Sequence, residues 1–512
     1  MNEKSVIIIG AGMAGLAAGC YARMNGYQTT ILELHDKPGG LCTAWSRQGY
    51  TIDACIHWLV GSKPGSGMYQ VWEELGAVQG REFLYADEYM RYEAKDGRVF
   101  ALYSDLDRLE KHLREIAPED DAAIRSLCQG ARSFLKMDIP VMKPMELMSL
   151  REKAGFWISA AAKYAPFVKR SRVPMSKLID RFQSPLIRDG LRQAWPETFP
   201  AMFLLMTMAW LHNKAAGYPV GGSLEFSRAI ERRFLALGGE LRYNARVAKI
   251  IVENDRAVGV RLAAGSELRS DYVISAADAH ATIFDMLDGR YADDTVRGWF
   301  EKLTPFPSLV FVGLGVKRRF DDVPRLVSTL RLELPEPMRI ADKDRSALGF
   351  HIFNNDPTLA PEGGTALVVA LDSKLEWWQE LRKDPVRYQQ AKDEVANIVI
   401  RVLDRRFPGV AAQVEMIDVA TPVTFERYTG NWQGSIEGWM TTPGTAMLQM
   451  RKTLPLPDRQ AGGLANLWLC GQWVEPGGGL PPSAVSGRNA VRLLCAQDRK
   501  EFVTTLPGKP KA

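Results

Sequence analysis

The run Gly10-Ala11-Gly12-Met13-Ala14-Gly15 sits directly behind the β-branched stretch Val6-Ile7-Ile8-Ile9, and its residue types suit the holding of phosphate. Gly10 permits a tight turn, Gly12 lets a pyrophosphate approach the backbone, and Gly15 lets the following helix pack closely on the strand. That helix, expected over Leu16 to Met24, would offer the free N–H groups of its N-terminus together with a partial positive charge. A second strand, Thr29 to Leu32, ends on Glu33, eighteen residues beyond Gly15. A carboxylate there accepts hydrogen bonds from ribose hydroxyls and repels a 2′-phosphate. Strand, loop, helix, second strand and acid in register predict a dinucleotide site. A glycine-rich turn in an ordinary α/β protein is the plainer alternative.

A second glycine loop, Gly477-Gly478-Gly479-Leu480-Pro481-Pro482, opens a helix expected to run through Leu494. Proline is tolerated in a first helical turn, and the N-terminal dipole favours negative charge. Chemistry beside a bound dinucleotide also needs a proton donor or acceptor. The candidates are His57, Glu475 and Tyr428, with His212 weaker. Each has a bland reading: His57 as a satisfied structural histidine, Glu475 as a surface or ribityl-contact carboxylate. No set of residues has metal-ligand spacing, and no nucleophile–base pair stands out.

Several further segments accompany these loops: Pro38-Gly39-Gly40-Leu41, Gly49 to Asp53, Tyr218-Pro219-Val220-Gly221-Gly222-Ser223 and Ala276-Ala277-Asp278. Thr421-Pro422, Glu426 to Asn431 and Leu469-Cys470-Gly471-Gln472 follow. Together they make the chain, over its whole length, resemble the FAD-dependent phytoene desaturases, carotenoid isomerases and retinol saturases, within the wider amine-oxidase-like flavoproteins. The resemblance implies an α/β fold: a discontinuous Rossmann-like FAD-binding domain beside an α+β substrate domain. It implies FAD contacts at Gly10, Gly12, Met13, Ala14, Gly15, Glu33, Gly40, Leu41, Gly471, Gln472, Gly479 and Leu480. Val247 would bond the adenine through its backbone, although an ordinary inward strand valine reads the same. The second glycine loop would face the flavin pyrimidine edge. Two positions depart from the family pattern, with Leu41 in place of a frequent arginine and Gln472 in place of an aspartate. Backbone amides and the Gln472 side chain still suit phosphate or ribitol oxygens.

The motifs at both ends and mid-chain predict FAD-binding pieces near 1–75, 218–285 and 460–498. The segments 76–217 and 286–459 would form the substrate domain, and 499–512 a tail that frays. Leu309 to Val316 contains Gly313-Leu314-Gly315 without a third glycine, so it reads as strand. With one nucleotide fingerprint, electrons would pass through the active site and not through a built-in nicotinamide domain.

Residues 136–177 hold nine Lys/Arg against three Asp/Glu, interleaved with Met, Phe and Trp. Such a segment suits contact with anionic lipid, and a helical layer with a solvated basic face fits too. Eight of the 19 methionines lie between Met137 and Met208. With Trp195, Phe199, Phe203 and Trp210 they would line a tunnel for a flexible apolar ligand, or simply pack a core. The expected activity is therefore desaturation, saturation or isomerisation of a polyene or isoprenoid-like substrate. Amine oxidation, with Trp432 and Trp439 facing the flavin, and flavin-free carriage of prenyl lipid are the alternatives.

Composition narrows the field. The 512 residues are 46% hydrophobic and 24% charged, which excludes collagen-like, coiled-coil and wholly disordered chains. A net charge of +5 gives no cause for bulk nucleic-acid binding. Six cysteines without a CxxC read as core residues of a reducing compartment. The apolar stretch Phe199 to Leu211 is too short for a membrane span. A cytoplasmic protein, at most peripheral on a membrane, is expected.

Overall fold

The computed structural model describes residues 3–137, 141, 143–155, 171–324, 327–445, 454, 464–475 and 478–508. Residues 138–140, 142 and 156–170 of the basic, apolar stretch 136–177 lie outside the described residues, as does Gly477.

The first strand, β1 (Ser5–Ile9), has Val6 to Ile9 all buried, as expected of a strand covered on both faces. It leads through Gly10 (φ +95°) into α1 (Met13–Met24) and back along β2 (Gln28–Leu32). The helix starts at Met13, with Gly12 as its N-cap. Further along the chain, α2 (Gly222–Ala236) is followed by β3 (Glu240–Arg242) and β4 (Tyr272–Ser275). Near the end come β5 (Leu467–Leu469) and α3 (Leu480–Gln497). The five strands form one parallel sheet in the order β3-β2-β1-β4-β5, although about 200 residues separate β2 from β3 and β4 from β5. The crossing of α1 and α3 is close because both are small-residue helices there: a Cβ on Gly487 would fall 2.2 Å from the Ala14 carbonyl oxygen.

A second sheet of seven strands draws on distant chain segments. Its order is 414–420, 309–316, 365–372, 343–352, 327–340, 88–93 and 99–103. One face carries Val312, Leu330, Leu332, Leu348 and Phe350 against the helix Pro385–Arg406. On the opposite side Met90, Tyr92, Phe100 and Leu102 pack on helices spanning 106–132 and 185–212. The stretch Leu309–Val316 is a strand here, and its glycines make room for side chains of the ribbon at 50–53. A Cβ at Gly313 would meet Ile52 at 2.6 Å, and one at Gly315 would meet Tyr50 at 2.4 Å. The apolar segment near 199–211 is the buried helix Met202–His212. Among the described residues, no helix is long and apolar enough to cross a membrane.

The chain end departs from expectation, because residues 500–508 dock instead of fraying. The Val503 N–H donates to Asn25 Oδ1 (2.8 Å), and Asn25 Nδ2 donates to the Val503 carbonyl (2.9 Å). Arg233 donates to the Thr505 carbonyl at 2.9 Å. Phe502 lies 5.7 Å from the Tyr21 ring and 5.0 Å beneath the Arg488 guanidinium. One aromatic residue and the reciprocal Asn25 pair outweigh the polar composition on which fraying was expected.

Candidate functional site

At the carboxyl ends of β1, β2 and β4 lies a cavity of about 410 Å³. Ends of parallel strands flanked by helix N-termini are where α/β sheets hold ligands. The glycine loop after β1 forms one wall, with Gly10, Gly12, Met13 and Ala14 lining it. The Gly39-Gly40 loop lies directly against it: the Gly39 N–H donates to the Ala11 carbonyl at 2.9 Å. A Cβ on Gly40 would come 3.2 Å from the Gly12 Cα. The α1 N-terminus carries no side-chain cap, so its first-turn amides face the cavity without a protein anion.

Glu33 closes the β2 end. Its carboxylate accepts from the Ala11 N–H (2.5 Å) and the His35 N–H (2.8 Å), and burial raises its pKa. Val247, Gly471, Gln472, Gly479 and Leu480 also line the cavity, as do Gly40 and Leu41. The Gly471 N–H is engaged by Ser486 Oγ at 3.0 Å, so the Gly471 backbone contributes shape to the wall and not a donor. Gly15 is buried behind the wall: a Cβ there would stand 1.9 Å from the Gly10 carbonyl oxygen. The α3 N-terminus, capped by Gly479 without a side-chain hydrogen bond, is the second uncapped helix start at this cavity.

These features suit a dinucleotide whose anionic centre meets backbone amides. A further observation supports the fit. The indole Nε1 of Trp473, a cavity-lining residue, is buried with no hydrogen-bond partner among the described residues, a costly state that a ligand's acceptor would relieve.

The three proton-transfer candidates are dispersed. His57 does not reach this cavity. It stacks on His351, centroids 3.6 Å apart and rings within 6° of parallel, in a separate small cavity with Trp58, Tyr218 and Phe353. The pairing of Leu59–Val60 with Ala216–Gly217 carries the chain away from the nucleotide wall. Burial and the nearby Arg331 push the His57 pKa down to about 4. Glu475 is not among the lining residues; its N–H continues the turn by donating to the Gly471 carbonyl at 3.1 Å. Tyr428 lines the cavity at its exposed rim, on the Glu33 side, with its ring 4.5 Å from that of His35. His212 ends its helix and accepts from the Leu106 N–H at 3.2 Å, a structural role.

Three acids missed as candidates do line the cavity, Asp278, Asp285 and Glu437. Asp278 accepts from the N–H groups of Trp432 (2.9 Å) and Ala281 (2.8 Å), and burial raises it to about 7. Glu437 is likewise raised to about 7 by burial, against only the Gly479 N–H on its carboxylate. Its carboxylate occupies the space beside Gly478, next to the α3 N-terminus. The sequence signal was a lone acid between Gly434 and Gly438 in the run Gly434-Ser435-Ile436-Glu437-Gly438. Trp432 and Trp439 do not line the cavity and do not form facing walls. They meet edge to face at 6.1 Å and 67°, in a cluster with Trp473 and Phe300.

Comparison with known proteins accords with this geometry. Residues 13–495 match the family model described as flavin containing amine oxidoreductase. The chain is 25% identical to a 4,4'-diapophytoene desaturase of Methylomonas sp, covering 98% of this chain and 97% of that one. It is 24% identical to a chloroplastic prolycopene isomerase of Daucus carota (97% and 80%) and 25% identical to a phytoene desaturase of Cereibacter sphaeroides (97% and 95%). Among solved structures, an oxidoreductase from Methanosarcina mazei superposes with a TM-score of 0.60 at 16% identity, over 95% of this chain and 100% of that one. Cyclohexylamine oxidase from Brevibacterium oxydans gives 0.58 at 16% identity, over 98% and 100%, and shows the same fold. The chain belongs to the flavin-containing amine oxidoreductase family, an enzyme with FAD as its cofactor that is similar over nearly its whole length to phytoene desaturases and prolycopene isomerases.

Proposed function

We propose that this enzyme acts on carbon–carbon bonds of a hydrophobic polyene or isoprenoid substrate by desaturation, saturation or isomerisation. The observation that carries the reading is near full-length similarity to enzymes named for carotenoid desaturation and isomerisation, joined to a two-ended nucleotide cavity. Bound FAD supplies the hydride acceptor or donor. The first-turn amides at Gly12, Met13 and Ala14 hold the pyrophosphate, Glu33 and Gln472 bind hydroxyls, and Val247 borders the adenine. The α3 N-terminus at Gly479-Leu480 stabilises negative charge at the flavin pyrimidine edge. Glu437, poised near neutral pH beside that terminus, holds or delivers the proton in place of His57 or Glu475.

In this reading 1–75, 218–285 and 460–498 form the cofactor domain, and 76–217 with 286–459 the substrate domain. Between the seven-stranded sheet and the helices, Trp58, Tyr89, Trp195, Phe203, Phe306 and Met440 are only partly buried and supply the apolar lining that a polyene requires. The segment 136–177 contacts anionic membrane, from which such a substrate is drawn. Cosedimentation with phosphatidylserine vesicles that fades with salt tests this part.

The deciding experiment records the flavin band of anaerobic protein. Bleaching on addition of a carotenoid polyene, or its reversal after NADPH reduction, supports the reading. Bleaching by small amines and not by polyenes would sink it.

A further inference from the structure

Strand Val327–Ile340 of the large sheet alternates its side chains between two environments. Leu330 and Leu332 pack into the core formed with Val395, Val399 and Leu403. Arg331 points to the opposite face, across Gly349: a Cβ on that glycine would lie 2.6 Å from the arginine Cζ. The absence of a side chain at 349 gives the guanidinium its berth.

Among the described residues this guanidinium has no counter-ion. Its Nε is buried without a hydrogen-bond partner, and the titratable groups that act on it are Tyr89, whose phenol burial keeps protonated, and Arg345. Arg345 is itself committed to Asp372 at 2.8 Å. The remaining neighbours are the stacked pair His57 and His351, both of which feel the Arg331 charge. His351 Nδ1 faces the Ser328 carbonyl at 2.8 Å, so that nitrogen bears the proton and Nε2 is left as an acceptor. Both imidazoles are driven to the neutral form and offer no compensation. A desolvated cation without an anion is costly, and burial of that kind normally comes with a partner.

The position of the group indicates what that partner is. His57, Trp58 and His351 line one small cavity, and Trp58 meets Tyr89 edge to face at 6.3 Å. Cys55, two residues before His57, lines the dinucleotide cavity. Two residues span at most about 7 Å, so the backbone at His57 lies near the wall of the dinucleotide cavity. One guanidinium beside two neutral imidazoles balances a single negative charge, and its planar fork matches a carboxylate. A diphosphate carries more charge than this site neutralises.

We propose that Arg331, flanked by His57 and His351, receives the carboxylate end of the substrate, so that the substrate class is a polyene or isoprenoid acid and not a hydrocarbon. This inference rests on the polyene reading above and assigns its specificity.

The test compares all-trans-retinoate, its methyl ester and lycopene as ligands of the FAD-loaded protein, with binding read from tryptophan emission and from perturbation of the flavin band. The acid is expected to bind at least tenfold more tightly than the ester, Arg331→Met to bring the two within about twofold, and Arg331→Lys to keep part of the preference. Equal binding of acid and ester by the unmodified protein overturns the inference and leaves the polyene reading standing, as does binding of lycopene alone. Full preference retained in Arg331→Met also overturns it. Failure of all three ligands overturns both. If Arg331→Met does not fold, the acid-to-ester ratio of the unmodified protein and of Arg331→Lys decides.

Discussion

At Gly15 an added methyl group would occupy space 1.9 Å from the Gly10 carbonyl oxygen, whereas at Gly12 it would meet nothing nearer than the Gly40 Cα at 4.0 Å. The two motif glycines therefore fail differently. Gly15→Ala is expected to destabilise the protein by on the order of 3 kcal/mol through overpacking, seen as a lowered denaturant midpoint with or without FAD. Gly12→Ala should fold normally and bind FAD at least tenfold more weakly, because its methyl stands where the pyrophosphate approaches; titration of apoprotein with FAD checks it. Glu437 gives a pH prediction. Its folded pKa of about 7 lies above the usual carboxylate value of 4.5, so the native state holds the proton more tightly than the unfolded chain. Stability attributable to this group is then full at low pH and declines between about pH 4.5 and 7. Glu437→Gln should remove that decline, worth up to about 3 kcal/mol, in apoprotein unfolding at pH 5 and pH 8. No gain of the variant at the higher pH would argue against a desolvated acid.

Helix α2 shows how elements far apart in the chain depend on one another. Its N-cap, Gly221, has no side chain to offer, and two remote carboxylates serve instead. Asp53 accepts from the Ser223 N–H at 2.6 Å and from its hydroxyl, and Asp356 accepts from the Gly221 N–H at 2.9 Å and from Tyr218 Oη at 2.8 Å. Asp53→Ala would strand a buried helix N-terminus and is expected to cost about 2–4 kcal/mol. Asp53→Asn, whose carbonyl oxygen still accepts, should cost less, and denaturant midpoints of the pair test the order. The elements themselves were largely legible. Strand β1 and the strand Leu309–Val316 follow from β-branched and apolar runs. Helix α1 starts at Met13 and not Leu16, because Gly12 already serves as its N-cap.

Across the whole molecule the C-terminal segment ties α1, α2 and α3 together through Asn25, Arg233 and Arg488. Truncation after Arg499 should lower stability by about 2 kcal/mol while FAD still binds, a combination that thermal unfolding and flavin retention can separate. The same scale separates what local sequence encodes from what the fold assembles. A glycine loop between a buried strand and a helix is a local device: its phosphate-binding geometry depends on a dozen neighbouring residues, so Gly10, Gly12, Glu33 and Gly479 could be named from spacing and composition. Proton-transfer and specificity groups have no such local mark. Glu437 reaches the cavity because the loop bearing it packs beside Gly478, and His57 is withdrawn because its stretch pairs with a strand more than 150 residues away. Arg331 lies where it does because Gly349 opens a berth in a paired strand, and among the described residues no counter-ion meets it there. The amino-acid sequence by itself determined the nucleotide cradle, the flavoprotein class and the discontinuous pattern of its motifs. The tertiary structure decided which acid stands beside the α3 N-terminus, where residues 500–508 dock and which charge lacks a partner among the described residues, because burial and long-range proximity arise only when distant segments meet.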